Sequence, residues 1–237
     1  MKLLLSDITL FNGELEKLPG KKLLINTINA HCYNIAQFDL EYMKALYASD
    51  ILLPDGVSVV MAIRFLKNNK ITKIAGADLF FYELEKLNRN NGKCFFLGSS
   101  ESTLQKIKNR ISKDYPNIQV ESYSPPFKKE FSESDNKIML DKINEFGPNV
   151  LMVGMTAPKQ EKWAYKHYQN LNVGHICCIG AVFDFYAGNI NRAPQWMINL
   201  GLEWFYRLIR EPGRMWRRYI IGNTKFIYYI LKEKIRI

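Results

Sequence analysis

ILLPDGVSVVMAIR, residues 51–64, contains a strand, a turn and a helix in one short stretch. Ile51-Leu52-Leu53 is a continuous apolar run, the pattern of a strand buried on both faces. Pro54-Asp55-Gly56 breaks it, and from Val57 to Leu66 apolar residues recur at helical spacing. Asp55 stands in the turn. A carboxylate there serves either as an N-cap that accepts backbone N–H bonds or as a reactive group at a strand end. Local sequence leaves both readings open.

The same unit recurs along the chain. Strand-like runs stand at KLLIN (22–26), KCFFLG (93–98), IQVES (118–122), NVLMVG (149–154) and HICCIG (175–180). Helical patterns lie between them, over 32–47, 78–90, 99–115, 132–147 and 158–169. Continuous apolar strands alternating with amphipathic helices predict an α/β fold, a mostly parallel sheet with helices on both faces. SYSPPFKKEFSES (122–134) reads as the one long loop.

From Ala193 the alternation stops and the residues become aromatic and basic. Between Gly201 and Ile237 there are nine Lys/Arg and three Asp/Glu, a local balance of +6. This divides the chain into an α/β core, 1–195, and a helical appendage, 196–237. Arg207 and Arg210, like Arg214 and Arg217, are three residues apart, so helical turns put each pair on one face.

The whole chain has 237 residues and a formal charge of +10, which favours an anionic partner without naming it. The cysteines, Cys32, Cys94, Cys177 and Cys178, show no CxxC spacing and suit buried free thiols in a reducing compartment. The N-terminus is too short for a signal peptide, and no window approaches a transmembrane length. A soluble or peripheral cytoplasmic protein is expected.

Ligands of open α/β sheets bind beyond the carboxyl ends of the strands. In INTINAH (25–31), Thr27 and Asn29 follow a strand and suit either a sugar or phosphate contact or helix capping. LGSSEST (97–103) suggests an anion cradle or plain capping by Ser99 or Ser100. In VGMTAPKQEKW (153–163), Lys159 and Gln160 crowd a helix's first turn. Lysine there is unfavourable unless an anion joins it, and a plain solvated first turn is the equal alternative. Asp184, between two phenylalanines in GAVFDFYAGNINRAPQW (180–196), needs a function or an internal partner such as Arg192.

These blocks, together with IAGADLF (74–80) and GLEWFYRLIREPGRMWRRY (201–219), carry a resemblance over nearly the whole chain. It resembles the WecG/TagA/CpsF family of bacterial glycosyltransferases. The resemblance implies a Rossmann-like fold with a membrane-associating C-terminal appendage. It implies inverting transfer of an N-acetylmannosamine-type sugar, or a related hexose or uronic acid, from a UDP-sugar. The acceptor would be a sugar on a polyprenyl diphosphate at the inner face of the cell membrane, in surface polysaccharide or teichoic acid synthesis. Carried onto this chain, the catalytic base falls on Asp55. Thr27, Asn29 and Gln160 fall in the donor and catalytic pocket, and Arg207, Arg214 and Arg217 match arginines of the appendage. Lys159 and Asp184 are candidate substrate contacts. Met155-Thr156 and Gly213 depart from the common pattern, so the exact sugar stays open.

Glycosyl transfer needs a base for the acceptor hydroxyl and counter-charge for the leaving diphosphate. None of the nine aspartates forms a DxD pair, so arginine and lysine, with no cofactor and no divalent metal, are expected to hold the diphosphate. The tail's Trp, Tyr, Lys and Arg suit an anionic membrane surface, and 223–237 reads as an interfacial helix or as one packed on the core or a second subunit. The alternatives are a nucleic-acid-binding protein with a basic aromatic surface, disfavoured by the polar strand ends, and an oxidoreductase, disfavoured by the missing glycine fingerprint. No nucleic-acid partner is expected; a homo-oligomer is left open.

Overall fold

The computed structural model describes residues 2–236, the side chains of Asn199 and Arg214 excepted. Among the described residues six strands form one sheet: β1 (Leu23–Ile28), β2 (Ile51–Pro54), β3 (Lys93–Gly98), β4 (Gln119–Tyr123), β5 (Val150–Gly154) and β6 (His175–Cys178). All pair in parallel, in the order β2-β1-β6-β5-β3-β4. The chain lays β2 on one side of β1 and then crosses to build β3 and β4. It returns through β5 and β6 to close against β1. The direction of winding therefore changes beside β1, the place where such sheets open a crevice at their carboxyl ends.

Eight helices belong to the core among the described residues: α1 (Ala30–Ala36), α2 (Leu40–Tyr47), α3 (Val57–Lys67), α4 (Gly76–Arg89), α5 (Glu101–Asp114), α6 (Glu133–Phe146), α7 (Lys159–His167) and α8 (Ala181–Tyr186). Strand side chains alternate between the two faces. Leu23, Ile25, Phe96 and Met152 pack under α4, α5 and α8, while Leu24, Phe95, Leu151 and Val153 pack under α6 and α7. All four cysteines are free and buried.

Two sequence expectations change. The helix read over 32–47 is two helices, because Asp39 accepts the Tyr42 N–H at 2.9 Å and caps a new start. The run at 175–180 is strand only to Cys178, and the chain turns at Gly180 into α8, which carries Asp184.

The appendage consists of α9 (Gln195–Asn199), α10 (Glu203–Arg210), α11 (Pro212–Trp216), a π-helical turn (Arg217–Ile221) and α12 (Gly222–Lys234). The interfacial reading of the last segment needs correction on one face. In α12, Phe226 and Ile230 are buried, and the Phe226 ring meets Tyr33 edge-on at 5.2 Å. Glu233 is buried too; it accepts from Leu5 N at 3.0 Å, Ser6 N at 2.6 Å and Tyr33 Oη at 3.0 Å. The helix is tied to the N-terminus and α1, and only its outer face, with Ile227, Tyr228 and Leu231, is exposed. No helix among the described residues is long and apolar enough to cross a membrane.

Candidate active site

The carboxyl ends of the strands open into a cavity of about 1550 Å³. Its floor comes from every strand end the sequence singled out, and its far wall comes from the appendage. Thr27, Asn29, Asp55, Lys159, Gln160, Asp184, Arg207 and Arg217 all line it. Arg214 belongs to α11, but its side chain lies outside the described residues.

Asp55 is not a cap. The N-cap of α3 is Gly56, with no side-chain bond, and the Asp55 carboxylate makes no hydrogen bond among the described residues. Its backbone is fixed instead: Asp55 N donates to Ile28 O at 2.9 Å. Gly56 follows with φ +137°, a conformation that glycine alone adopts without strain, so the chain turns sharply and leaves the carboxylate at the cavity. Burial pushes this carboxyl up to about 6, Glu203 adds to the effect, and Lys73 and Arg218 oppose it. Glu203 belongs to α10. Lys73 reaches it at 3.4 Å and Arg192 at 3.7 Å, with Arg192 also 4.0 Å from Asp78. These pairs clamp the appendage over the strand ends.

Asn29 caps α1, its Oδ1 accepting from His31 N at 3.0 Å and Cys32 N at 3.1 Å. The capping alternative is therefore real for its oxygen, while the residue still lines the cavity. His31 stands beside it; burial and then Arg218 push the imidazole down to about 4, so it is neutral at physiological pH. Ser100 caps α5, accepting from Thr103 N at 3.3 Å, which realises the plain reading of LGSSEST.

Gln160 is buried and held at both ends of its amide. Its Nε2 donates to Glu161 Oε1 at 2.8 Å, and its Oε1 accepts from Gly180 N at 3.2 Å. A Cβ at Gly180 would come within 2.4 Å of Met155 O and 2.6 Å of Gln160 Oε1, so only glycine fits this close approach. Glu161 is almost fully buried, its Oε2 has no hydrogen-bond partner among the described residues, and burial pushes the carboxyl up to about 7.

Lys159 and Asp184 both line the cavity, each with a neighbour that the sequence did not name. Lys159 Nζ donates to the Lys128 carbonyl and sits 3.6 Å from the Phe131 ring centroid, so the long loop's own groups occupy it. Asp184 is not paired with Arg192, which turns to Asp78 and Glu203. Its Oδ1 accepts from Asn189 Nδ2 at 3.3 Å, and it lines the cavity half-buried. Arg207 lies over the Phe185 ring, 5.5 Å from its centroid, and its buried Nε has no partner among the described residues. Arg217 and Arg218 reach the cavity from the π-helical turn.

The sequence reading missed His31, Lys73, Glu161, Arg192 and Glu203 as members of the site. His31 and Glu161 sat inside quoted motifs beside better candidates. Lys73 and Glu203 are 130 residues apart, and nothing in their local sequence signals the pair.

The chain matches the family described as Glycosyl transferase WecG/TagA/CpsF family over residues 9–237. It is 33% identical over 232 residues to an N-acetylglucosaminyldiphosphoundecaprenol N-acetyl-beta-D-mannosaminyltransferase of Bacillus subtilis (strain 168), covering 97% of this chain and 88% of that protein. A protein of the same name from Bacillus spizizenii (strain ATCC 23059 / NRRL B-14472 / W23) is 31% identical over 97% of this chain and 88% of its own length. Another from Staphylococcus aureus (strain MW2) is 28% identical over 91% of this chain and 82% of its own length.

Proposed function

The chain belongs to the WecG/TagA/CpsF family of glycosyl transferases, and from that premise we propose that it moves an N-acetylmannosaminyl group from UDP to a lipid-linked acceptor. The acceptor is N-acetylglucosamine on a polyprenyl diphosphate, the compound in the names of its relatives. The observation that carries the reading is the Asp55 carboxylate. It has no structural bond to make, faces the cavity, and is pushed by burial up to about 6.

The reaction is a single displacement. An acceptor hydroxyl donates a hydrogen bond to Asp55. As its oxygen attacks the anomeric carbon of the donor, the proton passes to the carboxylate and the carbon–oxygen bond to UDP breaks, leaving the anomeric centre inverted. With a pKa of about 6, Asp55 is ionised at pH 7 yet more basic than an ordinary carboxylate, which suits a general base. UDP leaves with its negative charge countered by Arg207, Arg217 and Arg218. Gln160, with one amide N–H beyond its bond to Glu161, and Thr27 and Asn29 orient the sugar. Asp184 is placed to accept from a sugar hydroxyl.

Two further parts belong to this reading. The diphosphate is held without a divalent metal; the absence of a DxD pair supports this. Residues 196–237 seat the enzyme peripherally on the inner face of the cell membrane and complete the site. Exposed Trp196, Leu200, Phe205 and Ile209 support the first role, and cavity-lining Arg207 and Arg217 support the second. Arg207, Arg217 and Arg218 share the strand-end cavity with Asp55, which favours a small-molecule pocket over the spread docking surface that nucleic acid requires.

A panel of UDP-sugars offered with a short-chain lipid diphosphate of N-acetylglucosamine tests the proposal. The expected result is a disaccharide lipid from UDP-N-acetylmannosamine in preference to the rest. Equal use of all donors, or none, overturns it.

A further inference from the structure

Helix α3 carries apolar residues on two faces. Val59, Ala62, Ile63 and Leu66 are buried in the core. On the other side Val57, Met61 and Phe65, each one turn beyond the last, are 37%, 65% and 48% exposed. A surface helix needs one apolar face, and the other is ordinarily polar. Val57 meets Gly201 and Phe65 has Lys234 over its ring at 5.7 Å, but much of the stripe is left in water, and such a stripe marks a contact.

The position of the stripe says what the contact is. Val57 is two residues from Asp55, and Val57 and Met61 line the same cavity as that carboxylate. Gly201 closes tightly on the start of the stripe, since a Cβ there would come within 2.6 Å of Val57 Cγ2. The appendage therefore crosses the helix at Val57, and the stripe leads outward through Met61 to Phe65. Eight residues of helix make a rail of roughly 12 Å. Exposed Arg64 and Lys67 flank its outer end.

We propose that Val57, Met61 and Phe65 seat the first isoprene units of the acceptor's polyprenyl chain while its sugar is presented to Asp55. This rests on the acceptor being polyprenyl-diphosphate-linked, as read above. Continuity favours the acceptor's own chain over bilayer lipid. Whatever lies on Val57 and Met61 shares a cavity with the reacting sugar, and a flat bilayer surface does not enter a cavity. The seat also gives the enzyme a way to select lipid-linked sugar over free sugar before any membrane is involved.

The test uses acceptors that differ only in chain length, one isoprene unit against three, in detergent-free solution without vesicles. For the wild type, KM falls about tenfold or more on going from one unit to three. In the double variant Met61→Gln with Phe65→Gln, at two exposed positions, that advantage is lost. Calorimetry with farnesyl diphosphate reads the seat apart from turnover. The wild type binds it at least tenfold tighter than inorganic diphosphate, and the double variant binds the two alike. Equal binding of both ligands by the wild type, or an unchanged chain-length advantage in the variant, overturns the seat. So does a variant that loses only vesicle sedimentation, which makes the stripe a bilayer contact, or only self-association, which makes it a contact with a second copy. If farnesyl diphosphate binds as stated but no acceptor is turned over, the seat stands and the proposed reaction fails.

Discussion

Replacing Asp55 by Asn removes the base and relieves the fold at once, and the two effects have opposite signs. The carboxyl is raised from 3.8 to about 6, burial being the main cause. A raised carboxyl binds its proton more tightly in the folded state, so stability is lost as pH rises from about 4 to about 6 and stays lower above that. Roughly two units at about 1.4 kcal/mol each give close to 3 kcal/mol, and water in the cavity screens part of it, leaving about 1–2 kcal/mol at pH 8. Asn at this position has no charge to desolvate. The variant should melt about 2–8 °C above the wild type at pH 8, taking about 2–4 °C per kcal/mol for a chain of this size. The difference should shrink by pH 5. Turnover should fall by about a hundredfold or more. Scanning calorimetry at the two pH values, run beside the transfer assay, reads both effects. A variant that melts lower at pH 8 would show that the carboxylate holds the fold together. Near-wild-type turnover would show that it is not the base.

The wild-type kcat/KM should rise with pH through about 6, as Asp55 in the free enzyme ionises; a flat profile between pH 5 and 7 contradicts this. Glu161→Gln should raise stability at pH 8 by at most about 3 kcal/mol, because the buried carboxyl is raised from 4.5 to about 7 and its penalty grows across that window; urea unfolding at pH 5 and pH 8 checks it. EDTA should leave most turnover in place, and loss restored by Mg²⁺ or Mn²⁺ would refute the arginine account. Arg207→Ala with Arg217→Ala should reduce turnover at least a hundredfold even with a water-soluble acceptor; normal turnover of that acceptor with loss of vesicle binding would make them lipid contacts. Truncation before residue 223 should cost more than about 4 kcal/mol, because it removes buried Phe226 and Ile230 and the Glu233 carboxylate that anchors the N-terminus; denaturant unfolding measures it.

The strands were legible because parallel strands buried on both faces leave long apolar runs, and each such run from Leu23 to Cys178 became a strand to within two residues. Asp55, Thr27, Asn29 and Gln160 were legible for a related reason. A ligand site at strand ends is assembled from turns that directly follow apolar runs, so its members stand beside recognisable punctuation. What failed depended on tertiary contact. Strand β6 stops at Cys178, two residues short of the run read over 175–180, because Gly180 must pass within van der Waals reach of Met155 and Gln160 and the chain turns there into α8. Arg192 was one partner offered for Asp184 beside a functional role, whereas its observed partners Asp78 and Glu203 come from α4 and α10. The tail left interfacial and core-packed readings side by side because its apolar and basic residues mix at helical spacing. Nothing local distinguishes Phe226, which meets Tyr33, from Ile227, which meets solvent.

The configuration of the new glycosidic bond tests the central claim most directly. Asp55, acting as a base on the acceptor hydroxyl, allows one displacement, so each transfer must invert the anomeric centre. Proton and carbon NMR of the disaccharide lipid, made from α-linked UDP-N-acetylmannosamine, should show a β-linked N-acetylmannosamine with one UDP released per product. An α-linked product would require two displacements or a front-side transfer, and would contradict the role assigned to Asp55.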